Sequence, residues 1–478
     1  MSFSDTAEET QVFLTALDVA CAEGNVGALS TLHSVEFPAL SKSLYSESSW
    51  PAPDVIAPLL ASESATALYR DLYFRHAHTV LEGRGELRIS HRFDSWEAFK
   101  GLFELAGRDA SFVVPSEWLF ESVGQFVGQF HRFCEYRNKI GTLSEIEKEL
   151  INDSPEVWGC YAVIQTLVDV TEASGIRAVL AAAAAEATAD EQPRSELSTQ
   201  HALGYFALGG IVRLQLLLGD YYSTLEVLDT LYLQETGNFS GIRACHVMLR
   251  YQRALAYLLS HRYVESIIAG SALMLDLERQ PRGNARSDFV SQKATNAVYI
   301  LAVAVSQCPG SEATLDPRVK NRLNTNQQVR SFRDELRVGN AAAFHNIYKR
   351  FAEKAIVPVP PSAEAVAAAA AAAASAAAAA DPDAASDGGD AESSKQTLQQ
   401  TLFAHFVASC APLAPLSSLN SYLNLYRTIP LRKLAVVASA EAVGTQTNEA
   451  TADTLRDQLV CLKYKTQVRA VFYLYFFY

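Results

Sequence analysis

Apolar positions recur at intervals of three to four residues along most of this chain, and that spacing predicts α-helices. The segment PSEWLFESVGQFVGQFHRFCEYR shows the pattern, with Pro115 and Ser116 as start signals. Its predicted buried stripe consists of Trp118, Ser122, Phe126, Phe130 and Phe133. Few windows alternate with the period of two that a strand requires. The pattern predicts an all-α protein with at most a small β element near the C-terminus.

One helical pair occurs twice between His201 and Leu277. LQLLLGDYYSTLEVL, from Leu214, aligns with LAYLLSHRYVESIIA, from Leu255. In this alignment Leu218 matches Leu259, Gly219 matches Ser260 and Tyr222 matches Tyr263. A leucine, a small residue and a tyrosine three positions later are typical of the tight turn in a tetratricopeptide-like helix pair. We therefore predict a degenerate helical-repeat solenoid whose core includes Leu218, Gly219, Tyr222, Leu259 and Tyr263.

Composition suggests five regions. We predict an N-terminal extension at 1–64, an N-terminal helical domain at 65–195 and the helical repeats at 196–355. Residues 356–396 are rich in alanine and proline and have little to bury, so they are predicted to be a linker. Residues 397–478 show the helix order of a winged-helix domain. Within the second region, Ser154 and Pro155 are predicted to begin a helix.

The charge balance limits the classes of partner. The formal net charge is −13, which argues against broad nucleic-acid or membrane binding by the whole chain. The most basic stretch contains Arg318, Lys320, Arg322, Arg330, Arg333 and Arg337. Acidic residues interrupt it, so a solvated helix face is favoured, and a contact with RNA or the ribosome is the alternative.

Cysteine usage and the N-terminus indicate the compartment. The seven cysteines are dispersed without a CxxC pair, as expected for reduced thiols in a cytosolic protein. The start, MSFSDTAEETQVF, lacks the apolar core of a secretory signal. The alanine run from Ala365 to Ala380 is too short to span a bilayer. We expect a cytoplasmic protein that has no membrane partner.

No catalytic constellation emerges from the motifs. The chain has no GxxxxGK[ST], GxGxxG or GxSxG sequence. His76 and His78 form an HxH sequence, but residues i and i+2 of a helix point to different faces, which is poor geometry for one metal. They are predicted to be surface or interface histidines. We expect a protein that is not an enzyme and holds no metal or cofactor.

Helical repeats followed by a winged helix are the layout of PCI-domain proteins, which form scaffolds in the proteasome lid, the COP9 signalosome and eukaryotic translation initiation factor 3. Seven motifs in order resemble the subunit L family of that factor: ALYRDLYFRHAH, HRFDSWEAFKGLFE, PSEWLFESVGQFVGQFHRFCEYR, SPEVWGCYAVIQTLVDV, LGYFALGGIVRLQLLLGDYYSTLEVL, RALAYLLSHRYVESI and SYLNLYRTIPLRKLA. The strongest is LLGDYY at Leu217–Tyr222, and the helix at Trp118–Arg137 comes next.

This resemblance implies a non-catalytic scaffold that holds neighbouring PCI subunits, with the K and E subunits foremost. It also implies support for assembly on the small ribosomal subunit, with any messenger RNA contact indirect. The candidate subunit interface comprises Tyr422, Leu425, Tyr426, Ile429, Leu434, Leu455, Leu459 and Leu462. The alternative is a scaffold of the proteasome lid or COP9 signalosome. Because the family continues beyond the apolar VFYLYFFY, we expect the wing to be incomplete.

Overall fold

The computed structural model describes thirteen stretches of the chain. They are residues 8–109, 111–139, 143–186, 198–231, 242–279, 288–338, 340–353, 355–358, 397–410, 429–441, 453, 455–457 and 459–460. Every secondary-structure element within them is helical, which confirms the all-α prediction. Most of the predicted linker, most of the predicted winged helix and the C-terminal residues 461–478 lie outside the described residues.

Twenty α-helices have bounds in the described residues. They are α1 (Glu8–Glu23), α2 (Val26–Thr31), α3 (Phe37–Ser43), α4 (Pro53–Ile56), α5 (Glu63–Arg84), α6 (Ile89–Arg108), α7 (Ser116–Arg137), α8 (Glu145–Asp153), α9 (Cys160–Ser174), α10 (Ile176–Glu186), α11 (Thr199–Leu218), α12 (Tyr221–Thr230), α13 (Arg243–Leu259), α14 (Tyr263–Arg279), α15 (Asp288–Gln307), α16 (Pro317–Thr325), α17 (Gln327–Val338), α18 (Ala341–Phe351), α19 (Thr397–Cys410) and α20 (Leu431–Glu441). A π-helix at Leu32–Glu36 and 3₁₀ turns at Ala57–Leu59 and Pro309–Thr314 complete the set.

The chain divides into two compact units. Unit 1 takes in the described parts of Met1–Leu218, Glu226–His246 and Ile356–Ser394. Unit 2 takes in the described parts of Gly219–Leu225, Val247–Ala355 and Lys395–Tyr478. The predicted boundaries after residues 64 and 195 fall inside unit 1 and do not coincide with this division. The five-region division itself stays a prediction.

The aromatic stripe of α7 forms the centre of unit 1. Trp118, Phe126 and Phe130 are completely buried, as are Ser122 and, within 2%, Phe133. The helix begins at Ser116 after Pro115, as the sequence predicted. The Phe126 ring stacks on Trp96 of α6, meets Phe99 of the same helix edge-on and lies tilted against Trp158. The stripe is therefore a packed core, and burial of its rings is the main stabilising contribution of α7.

The helix start predicted at Ser154 and Pro155 is wrong. Ser154 ends α8, a turn follows, and α9 begins at Cys160. Trp158 in this turn has a positive φ of 53° and is 1% exposed, and its Nε1 donates to the Arg92 carbonyl at 2.7 Å. Burial of the indole in the core therefore outweighs the local tendency of a Ser-Pro pair to begin a helix.

Helix α11 packs against α7 and α9. Among the described residues it is the single helix long and apolar enough to cross a membrane by length and composition. However, 72% of its most apolar window is buried inside the protein, as expected for a core helix. Its apolar character follows from contact with neighbours around most of its circumference.

The predicted linker begins with packed residues. Ile356 is 1% exposed and its N–H donates to the Leu217 carbonyl at 3.0 Å. The Val357 carbonyl accepts from Asn138 Nδ2 at 3.3 Å, and the Pro358 carbonyl accepts from the Arg137 guanidinium. Residues 356–358 are thus hydrogen-bonded to the C-terminal ends of α7 and α11. Any spacer within the predicted linker starts after residue 358.

Unit 2 is organised around α15. Helices α14, α17 and α18 pack on it, and its residues Ala297, Ile300, Leu301, Ala302, Val303 and Ala304 are completely buried. The neighbouring pair α13–α14 is joined by a buried hydrogen bond from Ser266 Oγ to the Ala254 carbonyl at 2.9 Å. Helix α19 packs on α18, where Phe406 meets the rings of Phe344 and Tyr348. Phe406 and Cys410 of α19 are therefore part of the core of this unit.

Helix α11 tolerates no side chain at Gly204. A Cβ built there would lie 2.6 Å from Ser174 Cβ and 3.0 Å from Ile176 Cγ2. Such distances require the backbone or the Ser174 side chain to move. By contrast, a Cβ at Gly101, on the exposed side of α6, meets nothing within 4 Å.

We expect Gly204→Ala to lower the free energy of unfolding by about 1–3 kcal/mol, because overpacking forces a shift of α11 from α9. The matched control Gly101→Ala should be neutral or stabilise by up to about 1 kcal/mol, because alanine has the higher helix propensity. Urea unfolding of both variants measures the difference. Equal stability of the two would show that the α9–α11 contact is looser than described.

Candidate interaction surfaces

The two repeat turns have the same backbone geometry but different lengths. In the first, Gly219 has φ +84° and α12 begins two residues later at Tyr221. In the second, His261 has φ +59° and α14 begins two residues later at Tyr263. The left-handed residue thus precedes the second helix by two positions in both turns. Gly219 corresponds to His261, and Tyr221 corresponds to Tyr263.

This correspondence corrects the predicted repeat core. Tyr222 is 81% exposed, so its prediction as a core residue is wrong. Leu218 and Leu259 are only half-buried, whereas their neighbours Leu217 and Leu258 are 3% and 0% exposed. The second turn holds one residue more than the first, and an alignment without a gap therefore selects the wrong member of the Tyr221–Tyr222 pair.

Tyr263 is the turn tyrosine that lies in the core. It is 1% exposed, and its hydroxyl lies 3.4 Å from Cys410 Sγ of α19 and 3.2 Å from His261 Nδ1. Burial, followed by the neighbouring Cys410 and Cys308 thiols, raises the pKa of its phenol well above its usual range. Tyr263 therefore stays neutral and links the repeat turn to α19 within unit 2.

We expect Tyr263→Ala to cost about 3–5 kcal/mol in the free energy of unfolding, as loss of a large buried ring does. Tyr222→Ala removes the same side chain from an exposed position and should change stability by less than about 0.5 kcal/mol. Chemical denaturation followed by far-ultraviolet circular dichroism compares them. A comparable loss in both variants would contradict the exposed placement of Tyr222.

The basic stretch forms a two-helix surface of unit 2. Its exposed cations are Arg318, Lys320 and Arg322 on α16 and Arg330 on α17. Beneath them α16 buries Val319 and Leu323. Asp316 caps α16 by accepting from the Arg318 N–H at 2.8 Å, and its carboxylate lies 3.5 Å from Arg318 Nε. We name these four cations the α16–α17 basic surface.

Arg333 does not belong to that surface. It is 6% exposed, and its guanidinium pairs with Glu312 at 2.7 Å and donates to Asn324 Oδ1 at 3.0 Å. Its prediction as an RNA or ribosome contact is therefore wrong, because both terminal nitrogens of its guanidinium are bonded to side chains within the fold. The side chain of Arg337 lies outside the described residues.

The predicted subunit-interface residues separate into three groups. Leu434 and Leu455 are 2% and 5% exposed, so they pack within the chain and are not available to a partner, which corrects their prediction. Ile429 and Leu459 are half-buried and stay candidates. The remaining candidates, Tyr422, Leu425, Tyr426 and Leu462, lie outside the described residues.

The HxH pair of α5 is buried, contrary to the prediction of surface or interface histidines. His76 and His78 are 9% and 2% exposed, and α5 contacts α1, α4, α6 and α7. Burial first, and then the nearby cations of Arg132 and Arg92, lower the pKa of the His78 imidazole to about 3. Among the described residues no group of three His, Cys, Asp or Glu side chains is arranged to hold a metal.

A buried polar cluster joins α5 to α7. Asp71 is 2% exposed, and its Oδ2 accepts from Trp118 Nε1 at 2.7 Å, Arg75 at 2.9 Å and Ser122 Oγ at 3.1 Å. Arg75 in turn pairs with Glu121. The cluster fixes the register between two helices, and these hydrogen bonds are all to groups within the fold. Sequence reasoning missed it, since the only signal was a polar serine within an apolar stripe.

Comparison with known proteins identifies the family. A family model described as "Paf67: RNA polymerase I-associated factor PAF67" matches residues 91–471. The chain belongs to the Paf67 family. Three similar proteins bear the name eukaryotic translation initiation factor 3 subunit L. That of Culex quinquefasciatus is 27% identical and that of Nematostella vectensis 25%; the alignments cover 97% and 96% of this chain and 83% and 81% of the relatives.

The third relative comes from Danio rerio. It is 27% identical over 408 residues, which are 83% of this chain and 65% of the relative. All three bear the subunit L name, which confirms the resemblance drawn from the seven motifs. The match to the Paf67 family model includes residues of both units and is not confined to one of them.

Proposed function

We propose that this chain is a non-catalytic scaffold subunit of the eukaryotic translation initiation factor 3 complex. The observation that carries the proposal is the length of the match, since subunit L proteins align over nearly all of the chain and most of their own length. An all-helical architecture with several exposed helix faces suits a protein that presents surfaces to neighbours. Its place of action is then the cytoplasm.

The proposed partners are other subunits of the same complex, with the K and E subunits first and other PCI subunits next. Half-buried Ile429 and Leu459 supply apolar surface for such a contact. The complex in turn brings the chain to the small ribosomal subunit, with messenger RNA contacted indirectly. A scaffold role in the proteasome lid or COP9 signalosome is the less supported alternative, because the relatives bear the name of the initiation factor.

The description of the family model favours a second candidate, association with RNA polymerase I. One experiment separates these roles. A tagged full-length chain, purified from its own cells, is resolved on a sucrose gradient and its companions are identified by mass spectrometry. We expect co-migration with small ribosomal subunits and recovery of the K and E subunits. Recovery only with RNA polymerase I, the proteasome or the signalosome, at equal tag expression, would reject the proposal.

The α16–α17 basic surface is the proposed site of any direct contact with RNA or the ribosome. Three of its members, Lys320, Arg322 and Arg330, are exposed cations on adjacent helices. Phosphate contacts by such groups release counterions, which makes binding weaken steeply with salt. A solvated face without a partner would instead leave binding unchanged when these charges are reversed.

We expect the triple variant Lys320→Glu, Arg322→Glu, Arg330→Glu to bind small ribosomal subunits about tenfold or more weakly and with a shallower dependence on salt. The control reverses three exposed cations elsewhere: Arg70→Glu, Arg177→Glu and Lys349→Glu. Co-sedimentation over a series of salt concentrations measures both. Equal loss in the two triple variants would indicate an effect of net charge alone and exclude a localised contact.

A further inference from the structure

Helix α8 exposes its apolar residues. No residue of α8 is buried, and Ile146 and Leu150 are 71% and 41% exposed. Positions i and i+4 lie on the same face, so the two side chains form one apolar pair. An amphipathic helix on a protein surface normally directs its apolar stripe towards the core. The exposed pair is therefore an unusual feature of α8 and marks a surface suited to a partner.

The orientation of α8 is fixed by its polar side. Ser144 and Glu147 form a capping box, in which the Glu147 carboxylate accepts from the Ser144 N–H at 2.8 Å. The Tyr136 hydroxyl of α7 donates to Glu147 Oε1 at 2.7 Å, and the Arg92 guanidinium lies over the Tyr136 ring at 4.4 Å. These contacts hold the Glu147 side of α8 towards the body of unit 1.

Exposed carboxylates flank the apolar pair along α8. Glu145, Glu149 and Asp153 are exposed along α8. The basic residue of this helix, Lys148, pairs with Glu145 at 2.7 Å. We name Ile146 and Leu150 with these three carboxylates the α8 face. Its chemistry is an apolar centre with an acidic rim, and a complementary surface has an apolar centre with a basic rim.

We propose that the α8 face binds a basic amphipathic segment of another subunit, one that presents two apolar side chains flanked by lysine or arginine. The identity of the partner as a subunit rests on the proposed function. Charge excludes the other occupants. A second copy meeting this face through its own α8 would bring two acidic rims together, and an anionic lipid surface would repel the carboxylates.

The first test locates what touches the face. A photoreactive benzoyl-phenylalanine replaces Ile146 in the full-length chain within its native assembly, and the cross-linked peptide is sequenced. The matched control carries the same probe at Ile268 of α14, an isoleucine of similar exposure at 64%. We expect Ile146 alone to capture a peptide of another polypeptide with basic residues beside apolar ones. No capture above the control, capture of a second copy, or capture of an acidic peptide would each overturn the proposal.

The second test separates the two components of the face. In the chain that carries the probe at position 146, we expect Leu150→Glu, and separately Glu149→Lys with Asp153→Lys, to reduce the captured peptide at least tenfold. Because all three side chains contact solvent, thermal melts should match that of the probe-bearing chain without these changes. Ile268→Glu in the same probe-bearing chain is the control and should leave capture unchanged. Capture that persists in both variants contradicts the proposal.

These outcomes are distinguishable from failure of the proposed function. If the wild-type chain sediments with another assembly and the probe at position 146 still captures a basic segment, the initiation-factor role is rejected and the α8 face is kept. If the wild-type chain sediments with small ribosomal subunits but the probe at position 146 captures nothing, the α8 face alone is rejected.

Discussion

The close approach of α11 to α7 and α9 is the constraint on which unit 1 depends. Gly204 lies against Ser174, and a Cβ at Gly210 would lie 2.9 Å from Val123 Cγ1 and 3.4 Å from Leu167 Cδ1. Two glycines in one apolar helix thus let it approach two neighbours at backbone distance. That approach positions the last turn of α11, where the Leu217 carbonyl accepts from Ile356. The glycines therefore determine the core of unit 1 and the position at which Ile356 attaches to it.

Polar groups inside unit 1 set the register of the helices, whereas apolar packing supplies most of the stability. Asp71 joins α5 to Trp118 of the aromatic stripe, so one carboxylate orders a contact that the indole ring alone would leave free to slide. Glu147 has an analogous role at the surface, where its bond to Tyr136 orients α8. In both cases a carboxylate decides which residues of a helix face outward. The surfaces that these helices of unit 1 expose are thus fixed by polar interactions.

The exposed surfaces of the two units differ in chemistry, which suits the proposed scaffold role. Unit 1 presents the acidic and apolar α8 face, and unit 2 presents the α16–α17 basic surface. Each consists of only four or five side chains, so each suits a single segment or a few phosphates. In the proposed scaffold role, specificity then results from several small surfaces of different charge on one chain.

The sequence by itself determined the helical class, the α7 core stripe and the family, because helical periodicity and ordered motifs are local properties of the chain. It also located the turn at Gly219, whose freedom from Cβ strain permits a positive φ. It could not choose between Tyr221 and Tyr222, place Arg333 inside an ion pair, or bury His76 and His78. Those outcomes depend on which helices pack against each residue, and these helices are distant from it in the chain. The tertiary structure decided them, and it decided in the same way that Ile146 and Leu150 face solvent.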